Sequence, residues 1–164
     1  MNFFPTLSGG LVRLERWASR ALVLGFVGLI VVNVAMRYVA GRPLVYAEEL
    51  AAILLVWLTL VAVSISIRDK AQIGVTLVSE ALPGTARRAL EVLVWALIAA
   101  MLALLLRQGV IWVRSPAVAF EQIITTGWAK APFFTIFPIF CFTALIHTLG
   151  HLSEAIVTLK EHLK

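Results

Sequence analysis

Charge is the scarcest property of this sequence. Of its 164 residues only 14% are Asp, Glu, Lys or Arg, and 61% are hydrophobic, where a soluble domain carries about 25% charged residues. That shortage excludes a disordered segment and an ordinary water-soluble enzyme, because one core of this size could not hide so much apolar surface. Cysteine is nearly missing: Cys141 is the single one, so no internal disulfide can form and a secreted disulfide scaffold is excluded. It lies in an apolar run and reads as a small buried hydrophobe. The net charge of +5 comes without any Lys/Arg-rich run interleaved with aromatics, so it gives no support to a nucleic-acid partner. Also missing are a phosphate-binding glycine loop and any Ser-His-Asp or Cys-His arrangement.

What is present is a series of four apolar runs free of Asp, Glu, Lys and Arg, at residues 21–36, 50–67, 92–106 and 131–153. A helix crossing the hydrocarbon needs about 20 such residues. The second and fourth runs are long enough as they stand. The first and third reach that length by extending to about residues 39 and 113, which takes in Arg37 and Arg107 near helix ends, where long side chains reach the headgroups. The expected architecture is an all-α integral membrane protein, one domain of four transmembrane helices, with spans near residues 18–39, 49–67, 89–113 and 131–152. The first run, preceded by Arg13, Arg16 and Arg20, is read as a retained span rather than a cleaved signal peptide.

Lys and Arg set the expected orientation. Nine lie in the N-terminal segment, the second loop and the C-terminal tail, against five on the other side: Arg37, Arg42, Arg107, Arg114 and Lys130. The positive-inside bias places both termini in the cytoplasm. Trp112 and Trp128 then mark the outer interface, and Trp17 and Trp95 the inner one. In the N-terminal segment Leu11, Leu14 and Ala18 share one helical face and Arg13, Arg16 and Arg20 the opposite one, the pattern of an amphipathic interfacial helix on the cytoplasmic leaflet. An ordinary basic flank to the first span fits the same residues. Leu82-Pro83-Gly84 reads as a turn, and Pro138 predicts a kink in the fourth run.

The centres of the four runs hold only neutral polar groups, among them Asn33, Thr59, Ser64, Ser66, Thr135 and Thr143, whose ordinary role is helix packing. No ionisable residue at mid-depth marks an ion or substrate path, and no matched pair of broken helices marks a transporter core. The chain is therefore not expected to carry a substrate by itself. His147 and His151 are four apart on one face, but no third ligand accompanies them, so they read as structural and no metal or cofactor is expected. Three other readings remain: a self-contained four-span exporter, which would need an acidic residue in a span, a membrane haem or metal enzyme subunit using the two histidines, and an assembly factor for some other complex.

The most informative stretch is the first outer loop and its flanks, Arg37-Tyr38 through Arg42-Pro43 to Tyr46-Ala47-Glu48-Glu49-Leu50. Glu48 and Glu49 open the second span, where the helix dipole favours acids, and Arg37 and Arg42 are within reach as partners. Either both acids face water, or one points into a protein interface.

This stretch resembles the small membrane subunit, the Q or DctQ-like subunit, of tripartite ATP-independent periplasmic (TRAP) transporters. That family typically shows Arg-Tyr ending the first span and Pro-Leu-x-Trp-x-Glu-Glu opening the second; here stand Arg37-Tyr38 and Pro43-Leu44-Val45-Tyr46-Ala47-Glu48-Glu49. The family continues with a Leu, a Trp within the span, an Arg, His-Ile-x-Val and Leu-Pro; here stand Leu50, Trp57, Arg68, Gln72-Ile73-Gly74-Val75 and Leu82-Pro83. The similarity runs from about residue 22 to 109. Tyr46 replaces the usual Trp, Gln72 replaces the usual His, and residues 127–138 depart from the family pattern.

The resemblance implies a non-enzymatic scaffold in a bacterial or archaeal inner membrane, bound to a large multi-span subunit and served by a periplasmic binding protein. It implies sodium-coupled uptake of an organic acid by the assembled system. It also implies subunit-interface or structural roles for Arg37, Tyr38, Pro43, Tyr46, Glu48, Glu49, Trp57, Arg68, Gln72 and Arg107. Arg42 and Lys130 are the candidates for outer-face docking, and Arg37, Arg107, Glu48 and Glu49 the candidate polar locks near the outer interface, with Glu49 against an arginine as one such lock.

Overall fold

The computed structural model describes residues 3–70 and 84–162. They form six helices: α1 (Phe3–Val39), α2 (Ala47–Arg68), α3 (Gly84–Val113), α4 (Pro116–Ala119), α5 (Ala131–Phe134) and α6 (Ile136–His162). Four segments are long and apolar enough to cross a membrane: Ser8–Val39, Ala47–Arg68, Gly84–Val113, and α5 with α6 over Ala131–His162. Gln72 and the Leu82-Pro83 turn lie outside the described residues. The only strand-like pairing among the described residues is an isolated bridge between Gln122 and Ala129.

The helices extend beyond the charge-free runs, so that Arg87, Arg88 and Arg107 lie within α3. The amphipathic N-terminal stretch is continuous with the first span in the 37-residue α1. Towards its N-terminal end Ser8, Val12 and Glu15 are buried, spaced to share one helical face. Leu14 and Trp17 stay 67% exposed.

The fourth run is interrupted at Thr135, between α5 and α6. Pro138 has no N–H to give to the Phe134 carbonyl one turn back, which accounts for the break occurring there. Thr135 Oγ1 closes part of the gap by donating to Pro132 O at 2.6 Å.

α6 is the hub of the bundle. It packs against α1, α2 and most extensively α3, and α1 also packs along α2. Its buried positions include Cys141, Ala144, Thr148 and Gly150, the small residues that let helices approach closely when no hydrophobic effect drives them together. Ile67, Leu102 and Ala144 form the apolar centre, with Trp95, Ile98, Phe140 and Leu145 around it. α3 and α6 approach closely at Gly109, where a Cβ would lie 2.8 Å from Phe137 Cδ1. Mid-helix residues such as Leu24, Leu97, Met101 and Leu104 are more than 60% exposed, the outward apolar surface that a lipid-embedded bundle presents.

Candidate functional site

Polar side chains inside this bundle converge at three levels. At one end of the bundle three helices meet on a buried acid. Ser64 Oγ of α2 donates to Glu15 Oε1 of α1 at 2.6 Å, and His147 Nε2 of α6 lies 3.0 Å from Glu15 Oε2. With the carboxylate ionised, Nε2–H is the donor, and His147 Nδ1 accepts from the Ser8 hydroxyl 2.6 Å away. Thr143 Oγ1 lies 3.0 Å from Ser64 Oγ. Ser8, Ser64 and His147 are at most 1% exposed, and Glu15 7%. A buried charge is tolerated only when partners replace its water, and both carboxylate oxygens here have one.

One turn further along α6, His151 Nε2 is 3.1 Å from the carbonyls of Ile67 and Arg68. It thereby caps the carbonyl end of α2, which has no intrahelical partners. Trp95 of α3 lies against the same ring at 4.7 Å between centroids. Arg16 holds Asp69 through two contacts of 2.9 and 3.0 Å, and Lys70 approaches Glu154 at 3.5 Å. His147 and His151 thus join helices, with Nε2 and Nδ1 of His147 and Nε2 of His151 already engaged by protein groups.

At the middle level Trp57 Nε1 of α2 donates to Phe133 O at 2.9 Å. In an unbroken helix that carbonyl would receive the amide four residues on. The interruption before Pro138 frees it, and a neighbouring side chain satisfies it, the usual condition for broken helices at membrane depth.

At the opposite end of the bundle Glu49 is not held by an arginine. Its carboxylate accepts from the Ile124 and Thr125 amides, both at 3.2 Å, and from Thr125 Oγ1 at 2.9 Å. It therefore clamps the loop between α4 and α5 onto the start of α2. That loop closes on itself through Ile123 N to Trp128 O (2.8 Å) and Lys130 N to Glu121 O (2.9 Å). Gly127 provides the positive φ of 70° at its turn, a conformation glycine adopts without steric cost. Ile123 and Val118 are its buried anchors, while Ile124 (90%) and Trp128 (57%) project outward.

The first outer loop is fastened separately. Asn33 Oδ1 accepts from Leu44 N at 2.8 Å, and Arg42 N returns to Met36 O at 3.2 Å around Gly41, φ +66°. Arg37 pairs with Glu48 at 3.6 Å; both side chains are at least half exposed, and such pairs contribute little. Tyr38 is 82% exposed and Tyr46, 39% exposed, stands at the N-cap of α2. Arg42, Pro43 and Arg107 are exposed and Arg68 half-buried. Lys130 pairs with Glu121 at 3.8 Å.

The structure therefore brings Arg37 together with Glu48, Glu49 with the 124–125 loop, and Trp57 with the α5 carbonyl. It does not gather Tyr38, Arg42, Pro43, Arg68 and Arg107 into one site. Sequence reasoning missed Glu15 and Ser8. Their spacing with Val12 is a helical signal, but nothing in one sequence joins Glu15 to a histidine 132 positions away. Among the described residues no three His, Cys, Asp or Glu side chains are grouped to hold a metal ion. The arrangement ties helices and loops together, and its hydroxyl–imidazole–carboxylate chain, Ser8–His147–Glu15, is buried between helices.

Comparison with known proteins places this arrangement in context. The family model for the DctQ component of tripartite ATP-independent periplasmic transporters matches residues 26–158. The sialic acid TRAP transporter permease protein SiaT of Haemophilus influenzae (strain 86-028NP) is 24% identical over 98 residues, which is 60% of this chain and 16% of that protein. The chain thus spans about one sixth of the length of that relative.

Proposed function

This chain belongs to the DctQ component family of TRAP transporters, and from that premise we propose that it is the small scaffold subunit of such a transporter. It binds a large multi-span subunit, and the assembly takes up an organic acid delivered by a periplasmic binding protein, driven by a sodium gradient. Both termini face the cytoplasm, and the membrane is the inner membrane of a bacterium or archaeon.

The observation that carries this reading is where the polar groups go. Several polar side chains in the bundle join its own helices, through Glu15–His147, His151 Nε2 and Trp57. A moving carrier needs open coordination sites and a matched pair of broken helices around a cavity, and among the described residues only the α5–α6 span is broken; a fixed scaffold needs internal locks and a large apolar exterior. In carriage where one domain slides against another, the stationary part must resist movement in the bilayer. The long α1 and the hub helix α6 widen that part. Arg37, Tyr38, Pro43, Tyr46, Glu48, Glu49, Trp57, Arg68, Gln72 and Arg107 are the separate candidates for contact with the large subunit, and Arg42 and Lys130 the candidates for steering the binding protein.

The self-contained exporter would need a free acid within the spans; both oxygens of Glu15 are already occupied by Ser64 and His147. The test is reconstitution in proteoliposomes of the large subunit and binding protein with and without this chain. Sodium-dependent uptake that requires all three, and falls several-fold on charge reversal of Arg42 or Lys130 at low salt, is the expected result. Uptake by this chain alone, or uptake indifferent to it, would overturn the reading.

A further inference from the structure

A half-open groove of about 460 Å³ lies between α2 and the α5–α6 break. Its lining follows α2 from residue 49 to residue 60, which at 1.5 Å per residue is about 16 Å of helix. A bilayer's hydrocarbon is about 30 Å thick, so the groove has the depth of one leaflet. Its walls are apolar, including Val56, Trp57, Phe133 and Phe137, and its two charged residues, Glu49 and Lys130, both belong to its loop end.

Volume and charge narrow the occupant. A helix about 10 Å across would not enter a space of this volume along that length, whereas one acyl chain would. At the mouth the Lys130 ammonium is 3.8 Å from Glu121. Glu49 carries three donors, and a carboxylate has about four acceptor positions. One cation flanked by two carboxylates suits a headgroup with both signs: a phosphodiester for Lys130 and a primary ammonium for the acids. A net anionic headgroup would face the excess of carboxylate.

We propose that this groove binds one acyl chain of a phosphatidylethanolamine-type phospholipid, with the phosphate at Lys130 and the ammonium at the Glu49–Glu121 side. The lipid seals the α2–α5 gap at the position where Trp57 bridges it. The proposal depends on the chain spanning a bilayer; it gives Glu49, Trp57 and Lys130 to lipid, and its failure would return those three to the candidate partner contacts and leave the scaffold reading intact.

The test uses the full chain purified from its membrane in mild detergent with whatever stays bound. Native mass spectrometry should find about one phosphatidylethanolamine per chain. After delipidation, dioleoyl-phosphatidylethanolamine should rebind at least about tenfold tighter than dioleoyl-phosphatidylglycerol. Ala52→Trp, which fills the groove from an exposed position, should abolish retention. Lys130→Gln, at the loop end, should bring the two lipids to within about twofold while the bundle melts as the parent does. Equal affinity of the parent for both lipids, no binding of either, or undiminished binding by Ala52→Trp would overturn the proposal. So would a photo-crosslinker at position 56 that captures a protein helix instead of lipid.

Discussion

At the scale of single residues, the charged groups divide by what surrounds them. Arg37–Glu48 and the same-helix pair Arg87–Glu91 sit in water or headgroups, where losing either partner changes little. Glu15–His147 is different, because both side chains are nearly sealed from solvent. Removing one partner of a buried pair costs about 3–5 kcal/mol, although single hydrogen bonds between membrane helices average only about 0.6 kcal/mol. The charged, doubly partnered geometry puts His147→Ala near the larger figure, at about 3 kcal/mol. Glu15→Leu combined with His147→Leu should cost clearly less than the two single changes added together, since no unpartnered charge remains. Unfolding of the purified chain by SDS titration measures both, and simple additivity would contradict the pairing. This pair also shows the limit of reading a site from one sequence. The outer corner was legible because its residues are adjacent and ordered like a known family. The inner lock was not, because Ser8, Glu15, Ser64 and His147 are distant in sequence and meet only when three helices pack. Glu49 was legible as a special acid, but not its partners, which are mostly backbone amides of a loop without a motif.

At the scale of elements, composition revealed most of the architecture. Four charge-free runs gave four spans, since the backbone in hydrocarbon must satisfy its own hydrogen bonds and so must be helical. Their ends were less legible, because α3 continues through Arg87 and Arg88 to Gly84 and hydropathy does not mark where such a helix stops. Pro138 signalled a disturbance, but not that Trp57 would take up the freed carbonyl. The contact between α3 and α6 makes a sharp prediction of its own. Gly109→Ala puts a methyl group against the Phe137 ring, closer than real Cβ contacts, and overpacking of this kind costs about 1–3 kcal/mol. The melting temperature of the purified chain should fall, and Phe137→Leu in the same chain should recover part of the loss. A Gly109→Ala protein as stable as its parent would mean that α3 and α6 are not so close.

At the scale of the whole molecule, a single helix, α6, touches each of the other three spans, and the exterior is left apolar. Such a bundle is internally fastened and externally adhesive to lipid or to another membrane protein, which is what a stationary subunit requires. The proposed assembly gives that exterior a partner, and the clamped loop leaves Ile124 and Trp128 exposed. The most direct measurement of the central claim is affinity purification of this chain from its native membrane in mild detergent, followed by mass spectrometry of what remains bound. The account predicts a large multi-span membrane subunit at one-to-one stoichiometry. Recovery of the chain alone or as a homo-oligomer, in a detergent that keeps other membrane complexes whole, would contradict it.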